Sequence, residues 1–369
     1  MNKFGFIMFT PEVKDLKEYA PTIYRRPANQ IKKTLEAFPS AEVARVMNLK
    51  SITGAKAEGI LATTWLLPEQ YLEMSHSKIL GKILDAARVC VREGASIVGL
   101  GGYNSIVLPG AGLTIAQNMP VGVTNGNSYT IMSAIEGVDT IIDRLGYRKE
   151  DLDLVVIGAS GSIGSVIIEM LADAPYKSIT ICGRNKVRLE GKANKIFKAT
   201  GKQLLISTDA KQCAKTCDVI ISATSTPERI LEPEDFKSGS IVCDVALPHD
   251  VSESTAKERP DVYVFEGGLV EIPHGHRITP DVLKNFKLPR NWNFACLAET
   301  ALLALEGYQS NFSLDRISVE NVRYISGLAQ KHGFRTAPYK NSLGYIGDEW
   351  INQFCRDQSS ARAESPQSA

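Results

Sequence analysis

No run of about 18 consecutive uncharged apolar residues, the length a membrane span requires, occurs anywhere in the 369 residues. The opening stretch, MNKFGFIMFTPEVKDLKEY, turns charged too soon for a secretory signal, so a cytoplasmic protein is expected. Charge of one sign is missing as well. Lys and Arg number 42 against 41 Asp and Glu, which leaves no global basic field to draw the chain onto nucleic acid or anionic lipid. A disulfide framework is also lacking: seven cysteines, an odd count without framework spacing, sit in segments that read as strand or helix and are expected to be reduced. Cys213 and Cys217 have no second pair or nearby histidine to complete a zinc site, so no metal is expected. Histidine is scarce, five in all. His274 and His276 lie where they can reach a cofactor cleft, but a surface or structural role is the plainer reading of each.

What is present is core and rhythm. With 44% hydrophobic and 22% charged residues the chain can build two or three packed domains. In the middle, β-branched runs recur at Leu152–Ile157, Ser178–Cys182, Leu204–Ser207, Asp218–Ala223, Ser240–Val245 and Val262–Phe265, most of them separated by helix-length stretches. Between the first two, Ile163, Ile167, Ile168 and Leu171 fall on one helical face and Pro175 ends it. This is the β-α-β pattern of a Rossmann-type, doubly wound parallel sheet, which binds ligands at its carboxyl edge. The expected organisation is an N-terminal α/β substrate-binding domain over 1–149, an NADP-binding Rossmann domain over 150–280, a C-terminal helical segment over 281–356 and a disordered tail over 357–369. Helices are expected at His76–Glu93, Ser128–Leu145, Phe294–Glu306, Ser318–Gly333 and Asp348–Arg356.

The loop after the first of those strands reads Gly158-Ala159-Ser160-Gly161-Ser162-Ile163-Gly164 and opens a helix, the context a dinucleotide fingerprint needs. Its glycines permit the tight turn and let a pyrophosphate approach N–H groups at the helix N-terminus. The second strand ends in Gly183-Arg184-Asn185, with Arg188 one turn on, and no Asp or Glu stands where the 2′-hydroxyl of NAD would be bound. Guanidinium groups there favour a 2′-phosphate and hence NADPH. Ala223, Thr224 and Ser225 end the fourth strand at the same edge. Gly267 and Gly268 follow the sixth, where missing side chains admit a nicotinamide ring.

Further motifs carry a resemblance. They are FGFI near the start, LLPE at Leu66–Glu69, GLGGYNSI at Gly99–Ile106, TNGNSYT at Thr124–Thr130, VVIGASGSIGS at Val155–Ser165 and GRNKVRL at Gly183–Leu189. EGGLVE at Glu266–Glu271, NFACLAETALLALEGYQSNFS at Asn293–Ser313 and KHGF at Lys331–Phe334 continue it in order. The chain resembles the long-chain acyl-(acyl carrier protein) reductases of cyanobacteria, which make fatty aldehydes from acyl thioesters with NADPH. The resemblance covers most of residues 4–336 and implies that Cys296, the cysteine of F-A-C, is the catalytic nucleophile. Placed in a helix's first turn, that thiol is expected to have a lowered pKa. The resemblance also implies an acyl-enzyme, an apolar slot for the acyl chain, and an oxyanion held by N–H groups near Cys296 or by Asn104, Ser105, Asn127 or Ser128. An acidic carrier protein would land on basic residues, for which Arg25-Arg26 and Lys32-Lys33 are candidates. The run IPHGHRITPDVLKNFKLPR departs from the family form, leaving carrier protein and coenzyme A thioesters both open. Two other readings also stay open: a shikimate-type NADP-dependent alcohol dehydrogenase, and a non-catalytic NADPH-binding regulator.

Overall fold

The structure is a computed structural model that describes residues 1–106, 110–226, 228–273 and 275–364. The strands that matter here are β1 (Asn2–Met8), β2 (Ala41–Lys50), β3 (Lys56–Thr63), β4 (Ile97–Leu100), β5 (Gly122–Thr124), β6 (Asp153–Ile157), β7 (Ser178–Cys182), β8 (Leu205–Ser207), β9 (Val219–Ser222), β10 (Ile241–Asp244), β11 (Tyr263–Glu266), β12 (Leu269–Glu271) and β13 (Arg277–Thr279). The helices are α1 (His76–Arg92), α2 (Asn127–Arg144), α3 (Ser162–Leu171), α4 (Lys186–Thr200), α5 (Ala295–Leu305), α6 (Val319–His332) and α7 (Asp348–Glu364).

The chain forms two compact units, Met1–Met132 with Val270–Arg335, and Ser133–Leu269 with Thr336–Ala369. These divisions differ from the expected 149 and 280. The chain passes from the first unit to the second inside α2, returns inside β12 and passes to the second again between Arg335 and Thr336, so the two crossings nearest the expected boundaries coincide with no loop that composition would flag. Residues 281–356 are not a separate helical segment. Helices α5 and α6 belong to the first unit, and α7 to the second.

In the first unit six strands run in the order β13-β2-β3-β1-β4-β5. Strands β3, β1, β4 and β5 are parallel, while β2 and β13 are added antiparallel at one edge. Phe4, Phe6, Leu61 and Ile97 of the sheet pack with Leu297, Ala301 and Leu302 of α5 in one core. Contact is close because Gly99 on β4 has no side chain: a Cβ there would lie 2.0 Å from Thr300 Oγ1. Ten of the eleven residues of α5 are buried, and only Cys296 is not. A helix buried on every side is a core helix, and Cys296 is the one residue of this helix that is only partly buried.

In the second unit six parallel strands run β11-β10-β9-β6-β7-β8. Order reverses between β6 and β9, the switch point at which a doubly wound sheet binds its ligand. All six strands stand within two residues of their expected ends; five of them are buried on both faces and read as β-branched runs, while β8 is a short edge strand with Leu205 exposed. The tail expectation fails over 357–364, where α7 continues through Glu364; Ala, Arg, Glu and Gln sustain a helix without large apolar residues. Residues 365–369 lie outside the described residues.

Candidate active site

Each glycine of the phosphate loop has an identifiable reason to be one. Gly158 has φ of 82°, and a Cβ on it would lie 2.5 Å from the carbonyl oxygen of Ala223. Gly164 brings α3 onto the loop, since a Cβ there would lie 2.5 Å from Gly158 O. Gly161 is the N-cap of α3, and no side chain caps the helix. Ser160, Gly161 and Ser162 are exposed and Ile163 half-buried, so the unpaired N–H groups of the first turn are open to an anion. Arg184, Asn185 and Arg188 are all exposed just past β7. Asn185 is engaged structurally: its Oδ1 accepts the Arg188 N–H at 3.0 Å and caps α4. The two guanidinium groups sit on that capped turn, and the site fits a dinucleotide with a 2′-phosphate. Changing Arg184 and Arg188 together to Ala is expected to weaken NADPH binding about 10- to 100-fold, the loss of one or two charge-assisted contacts. NADH binding should change less than about threefold, as titration by fluorescence would record.

At the carboxyl edge, Ala223 and Thr224 are half-buried and Ser225 is exposed. Thr224 is held by Asp250, which accepts its N–H at 3.1 Å and its hydroxyl at 2.5 Å, and also accepts Ser222 Oγ at 2.7 Å. A Cβ on Gly267 would lie 2.7 Å from Cys243 Sγ, and Gly268 has φ of 74°, so side chains are excluded from that turn. Beside these residues stands a charged network that sequence reading missed. His249 Nδ1 lies 3.4 Å from Asp244 Oδ2, its Nε2 3.8 Å from Glu266 Oε1, and Glu266 also pairs with Lys340. Burial, together with the Asp244 charge, pushes Asp250 up to about 6. Burial would lower the His249 pKa, but Asp244 and then Glu266 overcome it and raise it to about 9. A raised histidine stabilises the fold fully below its unfolded pKa of about 6.5 and loses that contribution as pH climbs through about 9. Denaturant unfolding of wild type and His249→Leu should differ by on the order of 2 kcal/mol at pH 6, and the gap should close by pH 10.

In the first unit Cys296 occupies the second position of α5, whose N-cap Phe294 supplies no capping side chain. The residue is partly buried, packed against the core around α5. The expectation of a lowered pKa is overturned: desolvation, with the charge of Glu299, pushes Cys296 up to about 12, although the N–H groups of Leu297 and Cys296 pull the other way. Helix position alone was a poor guide, because the dipole contributes less than burial removes. The turn Thr124–Tyr129 lies directly on this residue. A Cβ on Gly126 would lie 2.4 Å from Cys296 Cβ and 2.6 Å from its Cα. Glu299, fully buried one turn along α5, accepts Thr124 Oγ1 at 2.5 Å and the Tyr129 N–H at 2.8 Å. Burial raises its pKa to about 7, against those hydrogen bonds.

Of the expected oxyanion donors, Asn104 is committed elsewhere: Nδ2 donates to Ile7 O and Gly101 O, and Oδ1 accepts from Tyr71. The Ser105 hydroxyl donates to Gly102 O. Ser128 pairs with Ser313, and Asn127 is buried with its N–H on Asn125 Oδ1. His276 is buried with its pKa lowered by desolvation, a structural setting, and His274 lies outside the described residues. Arg26 donates to Thr34 Oγ1, which brings the Arg25-Arg26 pair beside the helix Ala28–Ala37 that carries Lys32 and Lys33; Lys32 is paired with Glu73.

A family model described as shikimate / quinate 5-dehydrogenase matches residues 142–266, the nucleotide sheet. The chain is 25% identical over 315 residues to the long-chain acyl-(acyl-carrier-protein) reductase of Synechococcus elongatus, covering 82% of this chain and 89% of that protein. It is 29% identical over 347 residues to aminotransferase PigE of a Serratia strain, covering 91% of this chain and 40% of that protein, so it spans well under half of that relative. A glutamyl-tRNA reductase of Methanocaldococcus jannaschii is 29% identical over 121 residues, 32% of this chain and 29% of that one. The second unit carries a Rossmann-type nucleotide-binding sheet of the kind found in NAD(P)-dependent oxidoreductases. The chain is related to acyl-ACP reductase and glutamyl-tRNA reductase, and its cofactor is NADPH. No helix among the described residues is long and apolar enough to cross a membrane.

Proposed function

We propose that the chain reduces long-chain acyl thioesters, of acyl carrier protein or coenzyme A, to fatty aldehydes through an acyl-cysteine at Cys296. One observation carries the reading: along a helix buried on every side, the single residue left open is a cysteine, in the first turn, beneath a glycine turn moulded to it. An apolar residue would close that position. In the first half-reaction the Cys296 sulfur bonds to the thioester carbonyl carbon as the carrier's sulfur departs, taking up the proton that Cys296 gives away. Bound NADPH supplies the hydride that, with one proton from solvent, turns the acyl-enzyme into aldehyde, thiol and NADP+. The uncapped N–H groups at the start of α5 are the donors aimed at an oxyanion formed on the carbon attached to Cys296. The basic residues Arg25, Arg26, Lys32 and Lys33 offer the acidic carrier protein its landing area.

The test is direct. The full chain is incubated with palmitoyl-ACP or palmitoyl-CoA without NADPH, and its intact mass is measured. One acyl group added and mapped to Cys296 is the expected outcome, discharged as aldehyde when NADPH is supplied. A chain that binds NADPH and never acylates under either thioester would overturn the reading in favour of an alcohol dehydrogenase or a non-catalytic regulator.

A further inference from the structure

Glu299 is the only charged residue within α5 and is fully buried. It stands three residues from Cys296 and therefore on the same helical face. Its two carboxylate oxygens take the hydroxyl of Thr124 and the N–H of Tyr129, residues on either side of Gly126. That glycine touches Cys296 through its missing side chain. One carboxylate thus fastens both ends of the turn that packs on the nucleophile's backbone. A leucine would fill the space without desolvating an ion, so packing alone does not explain the residue. The first turn of α2, which supplies the Tyr129 N–H, favours an anion at this point.

The carboxylate of Glu299 also adds to burial in raising the Cys296 pKa. Strands β1, β3 and β4 bring Phe4, Phe6, Leu61 and Ile97 to the core around α5, and α6 brings Ile325, Leu328 and Ala329. Tyr129 and Tyr308 also belong to this core, and Glu306 pairs with Lys331 and His332 just past the opposite end of the helix.

Resting on the reading of Cys296 as nucleophile, we propose that Glu299 is a positioning residue for that thiol: its hydrogen bonds fix the Thr124–Tyr129 turn against Cys296, and its carboxylate, on the same face of the helix, disfavours a second negative charge on the sulfur. Burial does most to keep the sulfur as thiol in the resting protein, and the carboxylate adds to it.

The experiment reads the thiol without any acyl substrate. In the full chain carrying Cys355→Ser, which removes the other partly exposed cysteine, alkylation of Cys296 by iodoacetamide is followed from pH 6 to 10 by peptide mapping. Glu299→Gln still accepts the Tyr129 N–H and bonds Thr124 but carries no charge. Its alkylation at pH 8 should be about tenfold faster, a profile displaced about one unit downward. Glu299→Ala loses the bonds too, so its acyl-adduct formation should fall more than about tenfold although its thiol alkylates faster, whereas Glu299→Gln keeps the adduct rate. A Glu299→Gln profile that overlays wild type overturns the electrostatic part, and equal loss of acylation in both variants overturns the positioning part. Should Glu299→Gln not fold, wild type carries the test: its rate must flatten above about pH 7, where Glu299 gains its charge, before rising again. A straight line of unit slope across that range refutes the proposal. Absence of any acyl adduct alongside the expected alkylation profiles would instead sink the thioester reading and leave the charge effect intact.

Discussion

Replacing Cys296 by serine is expected to lower aldehyde formation from acyl thioesters at least about a thousandfold, a loss of about 4 kcal/mol of transition-state stabilisation. The substitution is nearly isosteric at a position that is only partly exposed, so the fold should persist. NADPH binding should be unchanged within about twofold, since the phosphate loop belongs to the other unit. Serine oxygen is a poor nucleophile without a base beside it. The buried carboxylate that stands nearest along the helix already accepts from Thr124 and Tyr129. The intact-mass assay should therefore show no adduct on the serine variant, and a steady-state assay with NADPH and acyl-CoA should show no NADPH consumption. Undiminished turnover by a folded Cys296→Ser chain would move the chemistry to another residue. An alcohol dehydrogenase built on the same two units would be indifferent to the change, which makes the variant decisive between the two enzyme readings.

How much of this was legible in the residues differs between the two units. The nucleotide sheet was, because its strands are short β-branched runs separated by helix-length stretches and the glycines at 158, 161 and 164 recur at the spacing of a phosphate loop between a strand and a helix. Cys296 was placed in a helix's first turn by its flanking residues, and the structure puts it at the second position of α5. Its thiol pKa was not legible, since desolvation depends on what packs around it, and Thr124 to Tyr129 arrive from about 170 residues away. Glu299 was overlooked for the same reason: a lone acid in LAETALL reads as the solvated side of a helix until the opposite face is found to be buried too. The cluster of Asp244, His249, Asp250, Glu266 and Lys340 is assembled from the ends of separate strands and from the C-terminal return of the chain, which spacing does not reveal. The unit boundaries were misplaced because α2 and β12 run straight through them.

Gly126→Ala tests the contact on which the nucleophile's placement depends. Gly126 has φ of 76°, a conformation that strains any side chain by about 1–2 kcal/mol. The added methyl would also stand 2.4 Å from Cys296 Cβ, 2.6 Å from its Cα and 2.9 Å from its carbonyl oxygen. Two of those three atoms are backbone, so no rotamer of Cys296 relieves the overlap; either the turn or the start of α5 must move, at about 1–3 kcal/mol. A shift of about 1 Å in a nucleophile is enough to lower a rate about a hundredfold. Acyl-adduct formation should fall by that factor or more, with NADPH affinity retained because the loop at Gly158 is in the second unit. Gly54→Ala separates strain from contact: Gly54 has φ of 89° in the same unit, but a Cβ there meets nothing within 4 Å. It should lose a similar amount of backbone stability in thermal unfolding and acylate at the wild-type rate. If Gly126→Ala acylates as fast as Gly54→Ala while both remain folded, the turn does not hold the sulfur in place, and the assignment of Glu299, which acts through that turn, fails with it.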